Sequence, residues 1–417
     1  MIANDIDGAG THMMLHLNAY ARAQQWPRGS TLGLGALRTN QKPTDNARAA
    51  KSAETRMSIS LTPIPSCEDT QPFAECRGVD LSKELSHEEI AELRAALLKH
   101  GLLLFRDQRG LTPQREVEFN QAFGWHDPNQ KDFLFGFGPP NKALKVRGGA
   151  QLPQWPQVSI LGNIRLDGYF GVDNTQLVPR LGLTYSGWHA DGLHDMFDGL
   201  PEMTTMSNPM GYPVNSGGET YFTSGVRAVQ RMDKSLADEL SQCIVLYMRW
   251  PNDDAPDESR NVLPGPAFMV DEGSRRIGFA VDSANPAAGL IKDFTLRPEH
   301  GDGAGRHRCI RMHPETGQAS LYVTPSGAVC LLDAQTLDIR HGVEETTKLL
   351  GRALLPSVKP GVRYEHRWRE GDFVAWLNTL VLHSATDPSG ISGDRLLHRI
   401  RLSTPKRRWA NGQYLSD

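Results

Sequence analysis

A chain of 417 residues with 39% hydrophobic content is long enough to bury a sizeable core, as one large domain or two modest ones. Lys+Arg 45 against Asp+Glu 48 leaves a net charge of −3, so no global positive field draws the protein to nucleic acid or an anionic membrane. Five scattered cysteines (Cys67, Cys76, Cys243, Cys309, Cys330) form no C-x-x-C pair and read as free thiols in a reducing, cytoplasmic setting, and no window approaches the ~18 consecutive apolar residues of a spanning helix.

Residues 1–56 are polar, lack sustained periodicity and contain no apolar run of the secretory kind, so they read as a disordered extension ahead of a single domain over 57–417. Ser86-His-Glu-Glu89 is a capping box that opens a helix with Ile90, Leu93 and Leu97 on one face, stopped by Gly101. The strand Leu102–Phe105 follows. Thr112-Pro113 then starts a second helix carrying Val117, Phe119 and Phe123 and ended by Gly124. Residues 126–183 are rich in Gly, Pro, Asn and Asp, interrupted by a strand-like run over 157–163. Asn163, Tyr169 and Phe170 are candidates there to line a substrate. Met203–Met206 and Glu219–Phe222 read as strands, and Ser224 caps a helix running to about Leu246. The polar, proline-rich stretch 250–308 reads as an insertion. Ala319–Thr324 is a strand, Val343–Leu355 a helix, and Phe373 to His383 a strand. Short antiparallel-looking strands with a few helices predict a mainly β fold with flanking helices, a double-sheet jelly roll rather than a parallel βαβ sheet.

The stretch that carries chemistry is Trp188-His189-Ala190-Asp191, among aromatic and β-branched neighbours in Thr184–Gly192. Two-residue spacing on a strand puts the imidazole and the carboxylate on one face, where a metal can use both. A third donor lies 194 positions downstream, where Trp376-Leu-Asn378-Thr-Leu-Val-Leu-His383 reads as an apolar strand ending in a histidine. Two His and one Asp make a facial triad with three open cis positions, the arrangement of non-haem Fe(II) oxygenases. The tripeptide alone is weak: His300-Gly301-Asp302 repeats the spacing in a segment without strand character. Beyond His383, a loop by composition leads to Arg395-Leu-Leu-His398-Arg399-Ile-Arg401-Leu-Ser403, where strand alternation resumes. Arg395, 12 positions past His383, offers a planar fork suited to a co-substrate with a second carboxylate.

Five motifs in order, His100-Gly-Leu-Leu-Leu-Phe105-Arg-Asp-Gln108, Trp188-His-Ala-Asp191, Gly217-Gly-Glu-Thr220, His313-Pro-Glu-Thr-Gly317 with Ser320-Leu-Tyr-Val323, and His383 followed by Arg395, span roughly residues 57 to 405. On these the chain resembles the taurine dioxygenase (TauD/TfdA-like) family of Fe(II)- and 2-oxoglutarate-dependent dioxygenases. The resemblance implies a double-stranded β-helix, iron ligands His189, Asp191 and His383, and Thr220 with Arg395 on the distal carboxylate of 2-oxoglutarate. It places Arg399 at a position that faces the substrate's anionic group in taurine dioxygenase; Arg401 shares its strand parity. The implied partners are O2 and a small-molecule substrate, with succinate and CO2 as co-products, and a homo-oligomer is compatible with this reading. Asp191 fills the position that related halogenases leave to chloride, so hydroxylation or another oxidation is expected. Two departures stand out. Thr379 follows Asn378 where the family often has Arg, and the long interval from Asp191 to His383 is similar to the fungal xanthine dioxygenase branch, which lacks an arginine at the position of Arg399. The alternatives are a catalytically silent metal-binding or scaffold barrel and a hydrolytic zinc enzyme, the latter without an obvious extra general base.

Overall fold

The computed structural model describes residues 58–123, 133–134, 149–177, 187–191, 201–211, 217–248, 304–325, 328–386, 392–403, 409–410 and 413–414. The expectations for 1–56, for the His300-Gly301-Asp302 segment and for most of the 250–308 insertion lie outside them. The described residues all belong to one unit, Met57–Asp417.

The first helix, His87–His100, starts where the Ser86 hydroxyl accepts from the Glu89 amide and the Glu89 carboxylate accepts from the Ser86 amide at 2.7 Å. It ends at Gly101, φ +72°, a left-handed position that a side chain adopts at a cost. That turn feeds Leu102–Phe105 directly into a large sheet. Among the described residues, nine strands make this sheet in the order Ser60–Pro63, Ala74–Arg77, Leu102–Phe105, Asp372–Leu377, Pro201–Asn208, Leu396–Ser403, Ser159–Gly162, Gly149–Gln151, with Phe133–Leu134 pairing the end of Leu396–Ser403. Pairing is antiparallel except between Ala74–Arg77 and Leu102–Phe105. Leu93 and Leu97 of the first helix and Phe119 of the second, Pro113–Ala122, pack with Phe105, Phe373 and Trp376 of the sheet into one core.

A three-stranded sheet, Tyr364–His366, Thr220–Ser224, Val381–Ala385, and a four-stranded one, Ala304–Arg308, Cys243–Met248, Ala328–Asp333, Ile339–His341, accompany it. The helix Val343–Val358 supplies Leu350, Ala353 and Leu354 to a second core with Val245, Tyr247 and Leu331. All five cysteines are buried free thiols. No helix among the described residues is long and apolar enough to cross a membrane.

Three elements differ from their sequence reading. The helix capped by Ser224 stops at Arg231; a second helix, Lys234–Ser241, follows Asp233 at its N-cap, and Cys243–Met248 is a strand. The run Ile244-Val245-Leu246-Tyr247 is apolar on both faces, which suits a strand buried between two neighbours better than a helix end. Ala304–Arg308, assigned to the insertion, pairs with that strand. Finally, Phe373 to His383 is two strands. Asp372–Leu377 belongs to the large sheet, the chain turns at Asn378–Leu380, and Val381–Ala385 enters the three-stranded sheet. His383 therefore lies mid-strand, and the turn brings residues of two sheets together.

Candidate metal centre

His189 stands on a short stretch, 187–191, that joins the strands by a single residue pair. Its amide donates to the His383 carbonyl and the His383 amide donates back, both at 2.9 Å. This reciprocal bridge holds the two imidazoles with ring centroids 4.1 Å apart. Asp191, two residues on, turns Oδ1 towards both rings, 3.7 Å from His189 Nε2 and 3.9 Å from His383 Nε2. The donor atoms of the three residues lie within 4.8 Å of one another, and Asp191 and His383 are buried. Three donors so spaced surround a point at which one cation can bind them all.

The histidines are oriented by different means. His189 Nδ1 lies 2.7 Å from the Gly187 carbonyl, so that nitrogen carries the hydrogen and Nε2 presents its lone pair. His383 is held by packing, its ring against Trp376 at 4.9 Å and stacked with Phe222 at 6.2 Å, while its Nδ1 is buried without a hydrogen-bond partner. Burial, reinforced by neighbouring His189, pushes the His383 imidazole down to about 3, so the ring is neutral over the physiological range. Burial alone would raise the Asp191 carboxyl. Positive charge close by, including the guanidiniums of Arg399 and Arg401, outweighs it and holds the group well below the usual carboxylate range. Neutral imidazoles and an anionic carboxylate are the protonation states a divalent metal requires of its ligands.

Around this point the other expected residues take distinct places. Thr220 sits opposite Ala385, two residues along from the pair Phe222–His383, and so shares the face that carries His383. Its Oγ1 accepts from Trp368 Nε1 at 3.0 Å, and because indole N–H only donates, the threonine's own hydrogen is available to another acceptor. Arg399 and Arg401 pair with Met206 and Thr204, and Arg401 is buried. Arg395 immediately precedes this strand.

Asn163, a candidate to line a substrate, bonds to the backbone around Arg395. Its Oδ1 accepts from the Arg395 amide at 2.7 Å, its Nδ2 donates to the Gly393 carbonyl at 2.9 Å, and its own amide donates to the Arg395 carbonyl at 3.1 Å. A Cβ on neighbouring Gly162 would collide with that carbonyl oxygen. The Gly162-Asn163 pair therefore pins the backbone from which Arg395 projects. Tyr169 points to the other side of the same strand, its hydroxyl 2.8 Å from His398 Nε2, and Phe170 is partly exposed. Two participants escaped the sequence reading altogether. Thr204 donates to Asp191 Oδ2 at 2.8 Å, and Asn378 donates to Thr204 at 2.7 Å.

The model for "Taurine catabolism dioxygenase TauD, TfdA family" matches residues 62–401. The chain is 26% identical over 369 residues to the alpha-ketoglutarate-dependent xanthine dioxygenase xan-1 of Neurospora crassa, covering 79% of this chain and 83% of that protein. It is 24% identical over 318 residues to the (S)-phenoxypropionate/alpha-ketoglutarate-dioxygenase of Sphingobium herbicidovorans, covering 75% and 85%. A crystal structure of a taurine dioxygenase from Burkholderia xenovorans superposes with a TM-score of 0.52 at 21% identity, covering 83% of this chain and 92% of that one, a likeness of fold. With a match over that span, the chain belongs to the taurine catabolism dioxygenase TauD, TfdA family, oxidoreductases that depend on Fe(II) and 2-oxoglutarate.

Proposed function

We propose that His189, Asp191 and His383 hold Fe(II), that Arg395 and Thr220 take the distal carboxylate of 2-oxoglutarate, and that the protein hydroxylates a C–H bond of a small anionic molecule. The observation that carries the reading is the convergence of two imidazoles and one carboxylate, their donor atoms within 4.8 Å of one another, with Asp191 and His383 buried. We also read the two principal sheets, joined by the turn at Asn378–Leu380, as the walls of a double-stranded β-helix (jelly roll).

Bound iron supplies the oxidising chemistry, coupling the cleavage of 2-oxoglutarate by O2 to succinate and CO2 with oxidation of the substrate. The chain positions the reactants. The Arg395 guanidinium pairs with a carboxylate as a fork, and Thr220, its hydroxyl oriented by Trp368, donates to the same group. A charge-assisted contact of that kind contributes about 1.5–3 kcal/mol, which is roughly ten- to a hundredfold in affinity. Arg399 and Arg401 add two guanidiniums on the side of Asp191 and favour an anionic substrate. The relative from Sphingobium, named for a carboxylate substrate, supports that preference. With Asp191 filling its coordination position, hydroxylation is favoured over halogenation.

The test is succinate release with Fe(II), ascorbate and 2-oxoglutarate across paired anionic and neutral metabolites. Substrate-dependent succinate from an anionic member is the expected result. Metal uptake without succinate would instead assign a silent binding protein. Arg399→Gln should slow turnover of the anionic member at least about tenfold more than its neutral partner, as loss of one charge-assisted contact would; equal effects would remove Arg399 from substrate recognition.

A further inference from the structure

We infer that Trp376, Asn378 and Thr204 form a one-way hydrogen-bond chain that selects which oxygen of Asp191 faces the metal; the inference rests on the reading of Asp191 as a ligand. The chain is built from separate parts of the fold. Trp376 is the penultimate residue of a strand of the large sheet, Asn378 occupies the turn where the chain leaves that sheet, Thr204 lies on the adjacent strand opposite Trp376, and Asp191 follows the short bridge to His383. All four are buried, Trp376 and Thr204 completely.

Direction follows from donor chemistry. An indole N–H only donates, so the atom of Asn378 that lies 3.1 Å from Trp376 Nε1 is the carbonyl oxygen, Oδ1. The amide cannot flip without setting two donors face to face. Its Nδ2 therefore donates to Thr204 Oγ1 at 2.7 Å. The Thr204 hydroxyl, its acceptor site used, sends its single hydrogen to Asp191 Oδ2 at 2.8 Å. Oδ1 is left towards His189 and His383. Asn378 Oδ1 also lies 3.4 Å from the Asp191 amide, so one side chain registers both the backbone and the carboxylate of that residue. The Trp376 ring meanwhile packs on His383. One indole thus orients two donors of the triad, one by its face and one by its N–H, and the carboxylate is held to one-oxygen coordination.

Trp376, Asn378 and Thr204 are positioning residues, and partners of this kind change metal affinity by about ten- to a hundredfold when removed. The experiment is Co(II) binding to the full-length apoprotein without 2-oxoglutarate, read as a dissociation constant by chelator competition and as the visible absorption of the bound ion. Thr204→Val should weaken binding tenfold or more and shift the absorption, while Thr204→Ser returns both to within about threefold of the parent. Asn378→Ala should act through the same oxygen, so the double variant Thr204→Val/Asn378→Ala is no more than about threefold worse than Thr204→Val alone. Trp376→Phe keeps the ring, frees the amide, and gives a smaller loss in the same direction. Parent-like affinity and absorption in Thr204→Val, or losses that multiply in the double variant, overturn the inference. Should Thr204→Val fail to fold, Asn378→Ala and Trp376→Phe carry the same prediction, and parent-like absorption in both overturns it. Asp191→Ala and His383→Ala are measured alongside. Undiminished Co(II) binding in those two would bring down the metal assignment itself, a result distinct from failure of the chain.

Discussion

Among the described residues, two groups bring three ligand-type atoms within 4.8 Å of one another, His189–Asp191–His383 and Glu239–Cys243–His341. Distance makes them alike, and their partners separate them. Glu239 accepts Arg340 Nε on one oxygen at 2.7 Å and its NH2 on the other at 2.9 Å, and His341 Nε2 sits 2.6 Å from the first. Those contacts hold the carboxyl below its ordinary range and use its acceptor sites. Burial keeps the Cys243 thiol protonated, its pKa pushed up to about 11. Asp191, by contrast, commits Oδ2 to Thr204 and turns Oδ1 to the imidazoles of His189 and His383. A carboxylate closed off by a guanidinium ties a strand to a helix; one satisfied on a single side is poised for a cation.

The strongest way to break that contrast is to remove a donor from each group. Asp191→Ala or His383→Ala should abolish succinate formation and weaken Co(II) binding by well over about a hundredfold, beyond the usual effect of a supporting residue. Glu239→Gln should leave both within about twofold and lower only thermal stability, checked by calorimetry. Arg395→Ala should come next, raising the 2-oxoglutarate requirement roughly ten- to a hundredfold with Co(II) affinity unchanged; an unchanged requirement would assign the distal carboxylate elsewhere. Asn163→Ala should follow in the same direction by about fivefold, the effect of ~1 kcal/mol, because it releases the backbone behind Arg395 without touching the guanidinium. A combined Arg395→Ala/Asn163→Ala variant that is no worse than Arg395→Ala would locate the effect in positioning.

The smallest expected effect extends the comparison to an imidazole outside both groups. Burial lowers the His313 ring to about 4, while Thr316 donates to its Nδ1. The unfolded chain takes up a proton near 6.5 and the fold refuses it until about 4, so stability is intact above that window and falls as pH drops through it. His313→Asn should flatten this slope, seen as about 2–4 °C less change in Tm between pH 6.5 and 4. An equally steep slope would assign the acid sensitivity to other groups.

Much of the candidate site is legible in the sequence because its parts are unusual where they stand. Trp188-His-Ala-Asp191 sits among apolar residues, His383 closes an apolar run, and Arg395 opens a strand at a telling interval. Helix starts were legible for the same reason: Ser86 with Glu89 and Thr112 with Pro113 are local capping chemistry, and both caps form. Thr204 was not legible. In Met203-Thr204-Thr205-Met206 nothing distinguishes one threonine from the next until pairing with Trp376 sets which faces the site. The hold of Asn163 on the backbone beside Arg395 was not legible because its partners, Gly393 and Arg395, are long-range. The break before Asp233 was readable in principle, since Asp is a good N-cap residue, but the apolar periodicity ran on through it. The turn at Asn378–Leu380 hid inside a hydrophobic stretch because the strand before it is wholly buried and the one after it is buried from Val381 to Ser384.

The reciprocal backbone bridge between His189 and His383 closes a loop of nearly half the chain. During synthesis His189 and Asp191 emerge long before His383, the residue that bridges to them. On the proposed ligand set, metal loading would wait for the last part of the domain, and a truncated product ending before His383 would lack the third donor.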